Sequence, residues 1–586
     1  MRSWVALAWA MVSAAPAATF SHDIAPIVFV KCAPCHRPGE AAPFSLLTYE
    51  DVKKRAALIV RVTHSGYMPP WLPEHGYGDF ADERRLTADE IATIANWVKD
   101  GAPEGPPGET PTPPHFDSDW QLGKPDLVIE APAAFALPAS GPDVYWNFVF
   151  VPALTARRWV RAIEIRPGDR RLVHHANLLV DRMQSAVAQE VAPGKGFPGM
   201  DLALMSSPFD PDGHLLFWKP GSPPHVEQDG FALRLDPGND LVLNMHLQPS
   251  GKPEEVRPSI GLYFTDRPQT RFPLLVELEN DNALDIPAGA RDFVVTDDFK
   301  LPMDADILAV YPHAHYLGKL LEAWATLPDG SKKWLIRIPD WDSNWQGVYY
   351  YREPLTLPKD SVIHMRYRYD NSAANVRNRS HPPKRVRAGN QATDEMGHLW
   401  LQVLPRGPGD RRRELQEAVY RHRLEKAPDD FEAHLNLGAI ELARLNAQAA
   451  VTQLRDAVRI DANRPEAHNM LGLSLAATGR TVESIEQFAI ALRLRPAYAS
   501  ARFNLATALA RVGRVDDAID NLRRILTDAP EDPAAKRRLA EALTLRGELL
   551  LRDGKRDEAA TEFQEALKLD PADEEARKAL DRALGK

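Results

Sequence analysis

Cys32-Ala33-Pro34-Cys35-His36 is the segment whose chemistry is most sharply defined. Two thiols separated by two residues reach both vinyl groups of one haem, and the next residue, His36, then lies under the iron as proximal ligand. A thioredoxin-like dithiol or half a zinc site needs no adjacent histidine. Zinc would also need a second cysteine pair, and the chain has only 2 cysteines. A second set of candidate ligands is built from imidazoles. His174-His175 is one group, His246 ends the apolar run Leu241-Val242-Leu243-Asn244-Met245-His246, and His313-Ala314-His315 is the third. Residues i and i+2 of a strand share a face, so His313 and His315 are placed to bind one ion. Adjacent His174 and His175 point apart in a regular strand and converge only at a strand end or bulge.

A covalent haem c needs a second axial ligand downstream. Met68, in Gly66-Tyr67-Met68-Pro69-Pro70-Trp71, is the expected one. A Met before Pro in a loop resembles the distal loop of small cytochromes c, and a thioether stabilises ferrous haem. His64 is the rival ligand.

The histidines fall in an order that resembles the type II copper, ascorbate-dependent monooxygenases, the family of peptidylglycine hydroxylating and dopamine β-monooxygenases. Members carry His-His, then a His on a following strand, then His-x-His-x-x-Gly, then a Met. This sequence has His174-His175, His246, His313-Ala314-His315-Tyr316-Leu317-Gly318, and Met396 in Thr393-Asp394-Glu395-Met396-Gly397. The resemblance covers roughly residues 125–405. It implies two copper ions, one on His174, His175 and His246, the other on His313, His315 and Met396. Imidazole suits copper in both oxidation states, and a thioether favours the reduced ion. In the family the Met-bearing copper activates O2, a substrate C–H bond is hydroxylated, and the other copper stores and delivers an electron. No protein acid or base is obligatory, so no catalytic residue is expected beyond the metal ligands. Two departures narrow the expectation. The eukaryotic members are cross-braced by disulfides, for which this chain has no thiols to spare. The Arg and Asn with which peptide-hydroxylating members surround the site are Tyr311 and His398 here, which removes the carboxylate clamp and excludes peptide amidation. His398 is expected simply to follow Met396 along a strand.

The elements that must position these groups change texture along the chain. At roughly 150 residues per domain, 586 residues suggest about four units. Arg2, an apolar run from Trp4 to about Ala15, and the small residues Ala15, Ala17 and Ala18 read as an export signal, residues 1–18. The run is too short to cross a bilayer, which takes about 20 residues, and no later segment is a spanning candidate. Residues 19–102 read as a small α-helical cytochrome c-like haem domain, and 103–124 as a Pro/Gly-rich linker. From 125 the sequence breaks into short strand-like runs punctuated by Pro, Gly and Asp. Ile363, Met365, Tyr367 and Tyr369 alternate with His364, Arg366 and Arg368. The expectation is two all-β, jelly-roll-like sandwiches, 125–275 and 276–405.

Residues 410–586 are rich in Ala, Leu, Arg and Glu and carry an internal period. Pro428, Pro496 and Pro530 fall on a 34-residue grid with Ala462 in the missing place. Gly438, Gly472, Ala506 and Ala540 keep the period, as do Gly479, Gly513 and Gly547. This resembles the tetratricopeptide repeat, an α-solenoid of 34-residue helix–turn–helix units. Pro571 lies 41 residues beyond Pro530, or 34 plus 7, so the last unit's helices lengthen by about two turns without turning their buried face.

Net charge is 71 − 81 = −10, which argues against nucleic-acid binding. The sum of these readings is an exported bacterial protein, periplasmic or secreted. It is expected to be a copper monooxygenase acting on O2 and an unidentified organic substrate, fed by a periplasmic electron donor through its haem. A protein partner is expected on the repeats. The alternative is a non-catalytic haem and copper redox protein, or a scaffold that recruits partners through those repeats.

Overall fold

A computed structural model describes residues 17–40, 42–116, 120–182, 184–200, 211, 213–391 and 393–586. Residues 1–16 of the expected export signal lie outside the described residues. Contact clustering separates two compact units that meet in sequence at Leu415 and Gln416.

The first unit begins with four α-helices, Ala25–Lys31, Tyr49–Lys53, Ala56–His64 and Ala88–Lys99. Their ends follow local rules. Thr87 accepts from Glu90 N while Glu90 accepts from Thr87 N, which satisfies two otherwise orphaned donors. Phe20, Ile24, Val28, Phe29, Ile59, Ile94 and Trp97 form the core that fixes the helices against one another. At the start of the segment read as a linker, Pro103 O accepts from both Phe20 N and Trp97 Nε1. Between the third and fourth helices, residues 65–87 are mostly irregular, and Met68 lies in this loop. Some of their backbone groups are satisfied by the β region. Glu74 N donates to Arg337 O (2.8 Å), Ala81 N to Tyr350 O (2.9 Å), and Phe80 bridges Tyr351.

Two groups of antiparallel sheets follow. In the first, a five-stranded sheet runs in the order Phe197–Pro198, Val144–Phe150, Asp240–Leu247, Val173–Asp181, Phe217–Trp218. A four-stranded sheet runs Leu127–Glu130, Ser259–Thr265, Arg158–Arg166, Leu233–Leu235. One buried cluster draws Phe148, Ala176, Leu243 and Met245 from the first sheet and Val160, Ile165, Ile260 and Leu262 from the second, so the two sheets pack as layers. The strand Asp240–Leu247 is buried at every position, which accounts for its unbroken apolar run.

In the second group, one sheet runs Leu274–Glu279, Gly397–Pro405, Ala305–Ala314, Tyr349–Leu357, and the other Phe293–Lys300, Val362–Tyr369, Gly318–Thr326, Lys332–Ile338. Along Val362–Tyr369 the residues Ile363, Met365, Tyr367 and Tyr369 are buried. His364 and Arg366 on the other face pair with Asp298 and Glu322. The period-two pattern of the sequence is this division of faces.

The second unit is a run of paired helices, from Phe431–Ala443 and Ala447–Ile460 to Arg556–Leu569 and Glu574–Ala583. A Cβ on Gly438 would lie 2.5 Å from Leu454, and one on Gly472 would lie 2.5 Å from Phe488, so these glycines let the helices of a pair close together. Gly547 does the same against Phe563 from inside the helix Pro533–Arg552. It is in phase with Gly479 and Gly513 but does not share their place, since those two sit in turns with φ of +82° and +81°. The additional 7 residues lie within this one helix, which has 20 residues against 13 in Ala499–Arg511. Among the described residues no helix is long and apolar enough to cross a membrane.

Candidate functional site

His174, His175 and His246 come together on the five-stranded sheet. The register runs evenly from Asp181↔Asp240 to His175↔His246, then slips between Val173 and His175. The slip lets adjacent histidines face one place, as their spacing required. His174 Nδ1 lies 3.1 Å from His175 Nδ1 and 3.2 Å from His246 Nδ1. With metal–nitrogen bonds of about 2.0 Å, ligands at the corners of a tetrahedron stand about 3.3 Å apart, close to both distances from His174, and one ring nitrogen of each of the three lies within 4.8 Å of the others.

Their protonation suits the same role. His246 Nε2 donates to Asp143 Oδ2 (2.9 Å), which leaves its Nδ1 lone pair toward the other two rings. Burial, reinforced by the neighbouring His246, pushes His174 down to about 4 and His175 well below the usual histidine range. Tyr145 stacks on His246 and Phe217 on His175, and both rings limit solvent access.

His313 and His315 lie at and just beyond the end of the strand Ala305–Ala314, both buried, with ring centroids 5.3 Å apart at 86°. His313 Nδ1 donates to Gln346 Oε1 (2.7 Å) and His315 Nδ1 to Asp394 O (3.0 Å). Both rings therefore keep Nε2 available as a ligand atom. The pairing His313↔His398 and Ala314↔Gly397 brings Met396 level with His315 at the next step. Glu395, wholly buried, ties this corner together by accepting from the backbone N–H of His315, Leu317 (2.8 Å) and Met396 (3.0 Å). Gly318 is required by close approach, since a Cβ there would stand 2.7 Å from Trp341 and 2.9 Å from the Ala314 Cβ. His398 does lie on the strand after Met396. Both its nitrogens face carboxylates, Nδ1 3.0 Å from Glu277 and Nε2 3.2 Å from Asp281, and these raise its pKa to about 10 against the opposing effect of burial. That arrangement makes it a cation and not a ligand.

Gln346 stands between the two histidine groups. Its Oε1 accepts from His313 and from the Tyr311 hydroxyl (2.9 Å), while its Nε2 donates to His175 Nδ1 (3.2 Å).

Cys32, Cys35 and His36 occupy one turn at the end of the helix Ala25–Lys31, closed by Cys35 N and His36 N donating to Cys32 O. His36 Nδ1 donates to Phe44 O (3.2 Å), which leaves Nε2 available as an axial histidine would need it. Burial pushes the Cys32 thiol up to about 12 and the Cys35 thiol upward as well. A redox dithiol needs a depressed thiol pKa, so this environment disfavours one. Met68 is half-buried and its N–H donates to Val62 O (3.1 Å), whereas His64 is exposed. A cavity of about 490 Å3 lies nearby, lined in part by Pro70, Trp71, Arg84, Lys219 and Tyr349.

Sequence reasoning missed Asp143, Gln346, Lys219 and Glu395. Glu395 had one cue, its place beside Met396. The other three had none, because each acquires its role from a partner 100 or more residues away: His246 for Asp143, His175 for Gln346, and Gln346 for Lys219.

The tetratricopeptide repeat family matches residues 441–499, 469–533 and 503–574, so the C-terminal helical array consists of such repeats. Similar solved structures include MamA, 23% identical over 27% of this chain and 88% of that one, with a TM-score of 0.24. They also include YrrB, described as a tetratricopeptide repeat protein with an unusual peptide-binding site, 19% identical over 28% of this chain and 82% of that one, with a TM-score of 0.25. A MamA fragment from Desulfovibrio magneticus RS-1 is 23% identical over 26% of this chain and 82% of that one, with a TM-score of 0.23. No curated protein matches the chain in sequence.

Proposed function

We propose that this is an exported copper-dependent monooxygenase that hydroxylates a C–H bond of an organic substrate, with electrons entering through a covalent c-type haem. The observation that carries the reading is the convergence of His174, His175 and His246, whose ring nitrogens lie within 4.8 Å of one another, with His174 Nδ1 3.1 Å from His175 Nδ1 and 3.2 Å from His246 Nδ1. His313 and His315, reached through Gln346 and with Met396 at the same corner, support a second ion. When bound, the copper ions supply O2 activation and electron storage, and the haem supplies single electrons.

The chain's own residues prepare the sites. Asp143 holds the His246 proton on Nε2, Gln346 holds the His313 proton on Nδ1, and the Asp394 carbonyl holds the His315 proton on Nδ1. Each therefore presents one lone pair without rearrangement, which lowers the reorganisation that metal binding would otherwise cost. Tetratricopeptide repeats are a surface on which extended peptides and partner proteins bind, and here they are taken to dock the electron donor or a substrate-bearing partner.

The test is metal analysis of protein matured in a host that attaches haem c, together with O2 uptake on a panel of organic substrates. One haem and two coppers per chain are expected, with His313→Ala and Met396→Ala each losing one copper and the substrate-dependent O2 uptake. Zinc in place of copper, one copper or none, or O2 uptake unaffected by either substitution refutes the reading.

A further inference from the structure

The haem-binding turn and the histidine groups are joined by two lines of contact that converge on one short turn. The first starts at Cys35. Gly221 has a φ of +76°, and a Cβ there would fall 2.0 Å from Cys35 Sγ, so the backbone at Gly221 rests directly on the thiol. Two residues earlier, Lys219 Nζ donates to Trp345 O (3.2 Å) and Gln346 O (2.8 Å). The second line starts beside Met68. The Tyr67 ring meets the Trp345 ring edge to face, with centroids 5.7 Å apart. Both lines therefore reach Trp345 and Gln346, at the end of the turn that Asp342 caps. Gln346 is 3% exposed and hydrogen-bonds one histidine of each group.

Nothing in the stability of the sheets calls for this arrangement. The turn contributes no strand, and half-buried Lys219 donates to two of its carbonyls. Electronic coupling also weakens far more slowly along bonded and hydrogen-bonded atoms than across gaps. A contiguous network with its end on both histidine groups is what a haem feeding them would need.

We propose that Lys219, Tyr67 and Trp345 carry electrons from a haem on Cys32, Cys35 and His36 to Gln346, which delivers them through its hydrogen bond with His313 to the histidine group that His313 forms with His315. The inference rests on the functional reading above. In each passage one electron leaves ferrous haem iron, which becomes ferric, and one cupric ion held by the histidines becomes cuprous. No bond is made or broken and no proton is transferred. The haem is reduced again by a one-electron carrier protein, or by dithionite in the test. An ion on His175 Nδ1 takes the lone pair that Gln346 Nε2 now uses, while Gln346 stays anchored by Tyr311 and His313.

The experiment uses the full chain with haem attached and reduced under argon, mixed with cupric ion, and follows the loss of the ferrous haem absorption by stopped flow. Trp345→Leu and Gln346→Leu are compared with the parent at equal haem content, haem potential and copper content. Each variant is expected to slow haem oxidation, because Gln346→Leu removes the hydrogen bond with His313 and Trp345→Leu removes the ring contact with Tyr67. A variant that binds less copper is replaced by Lys219→Met, which touches neither histidine group and carries the same expectation. Rates equal to the parent's in these variants overturn the route and leave the functional reading standing. A parent haem that bound copper does not oxidise overturns both.

Discussion

Replacing Glu395 with alanine tests whether the second histidine corner is built as described. The carboxylate is wholly buried and accepts three backbone N–H groups, those of His315, Leu317 and Met396. A buried donor left without an acceptor costs about 1–3 kcal/mol, so three donors set a range of about 3–9 kcal/mol. Relief from burying the Glu395 carboxyl, whose pKa burial raises to about 8, and entry of water into the space both reduce the loss, which points to the lower half, about 3–5 kcal/mol. With an m-value of about 3 kcal/mol/M for β domains of this size, the urea midpoint should fall by about 1–2 M. Tryptophan fluorescence leaves the repeats out of the measurement, because residues 401–586 contain no tryptophan. The same variant should lose the copper assigned to His313, His315 and Met396 and keep the one assigned to His174, His175 and His246. An unchanged midpoint with both coppers retained would show that the three donors find other partners, and the account of this corner would fail.

Two further outcomes follow from single contacts. Asp143→Asn weakens the orientation of His246 without touching the ring, so copper affinity at the three-histidine group should drop about 10–100-fold by titration calorimetry with little change in the urea midpoint, and equal affinity would deny Asp143 that role. Gly472→Ala places a Cβ 2.5 Å from the Phe488 ring and should lower the stability of the repeats by about 1–3 kcal/mol in far-ultraviolet circular dichroism melts, whereas a melt that rises or stays put means the helix pair closes by some other contact.

Several of these features were legible in sequence because they repeat. Ile363 to Tyr369 alternate because a half-buried strand alternates, and Pro428, Pro496 and Pro530 recur because each repeat solves the same packing problem. The histidine pairs were legible as ligand types, and the need for a bulge beside His174 followed from two adjacent side chains having to share a face. The supporting residues were not legible, since Gln346, Lys219 and Glu395 are ordinary residue types whose roles come from long-range contacts. Gly547 misled for a related reason. Its phase is correct, but 7 residues inserted before the turn moved the turn glycine to Gly554, at φ +80°, and left Gly547 inside the helix. The loop around Met68 was legible from the Met-Pro-Pro run, but not that Glu74 and Ala81 in it donate to Arg337 and Tyr350, more than 250 residues downstream.

The register slip at His174 also sets how such a site can be gained or lost in evolution. Below the slip, every residue from His175 to Asp181 keeps its partner on Asp240–Leu247. Deleting the single residue at 174 would let the ladder run on without interruption and leave two histidines where three now meet, while most of the sheet's pairing survived. Point substitutions elsewhere in the strand erode packing gradually, whereas a change of one residue in length here switches the ligand set in one step. Lineages of such proteins should therefore divide by the length of this segment rather than by gradual drift in its composition.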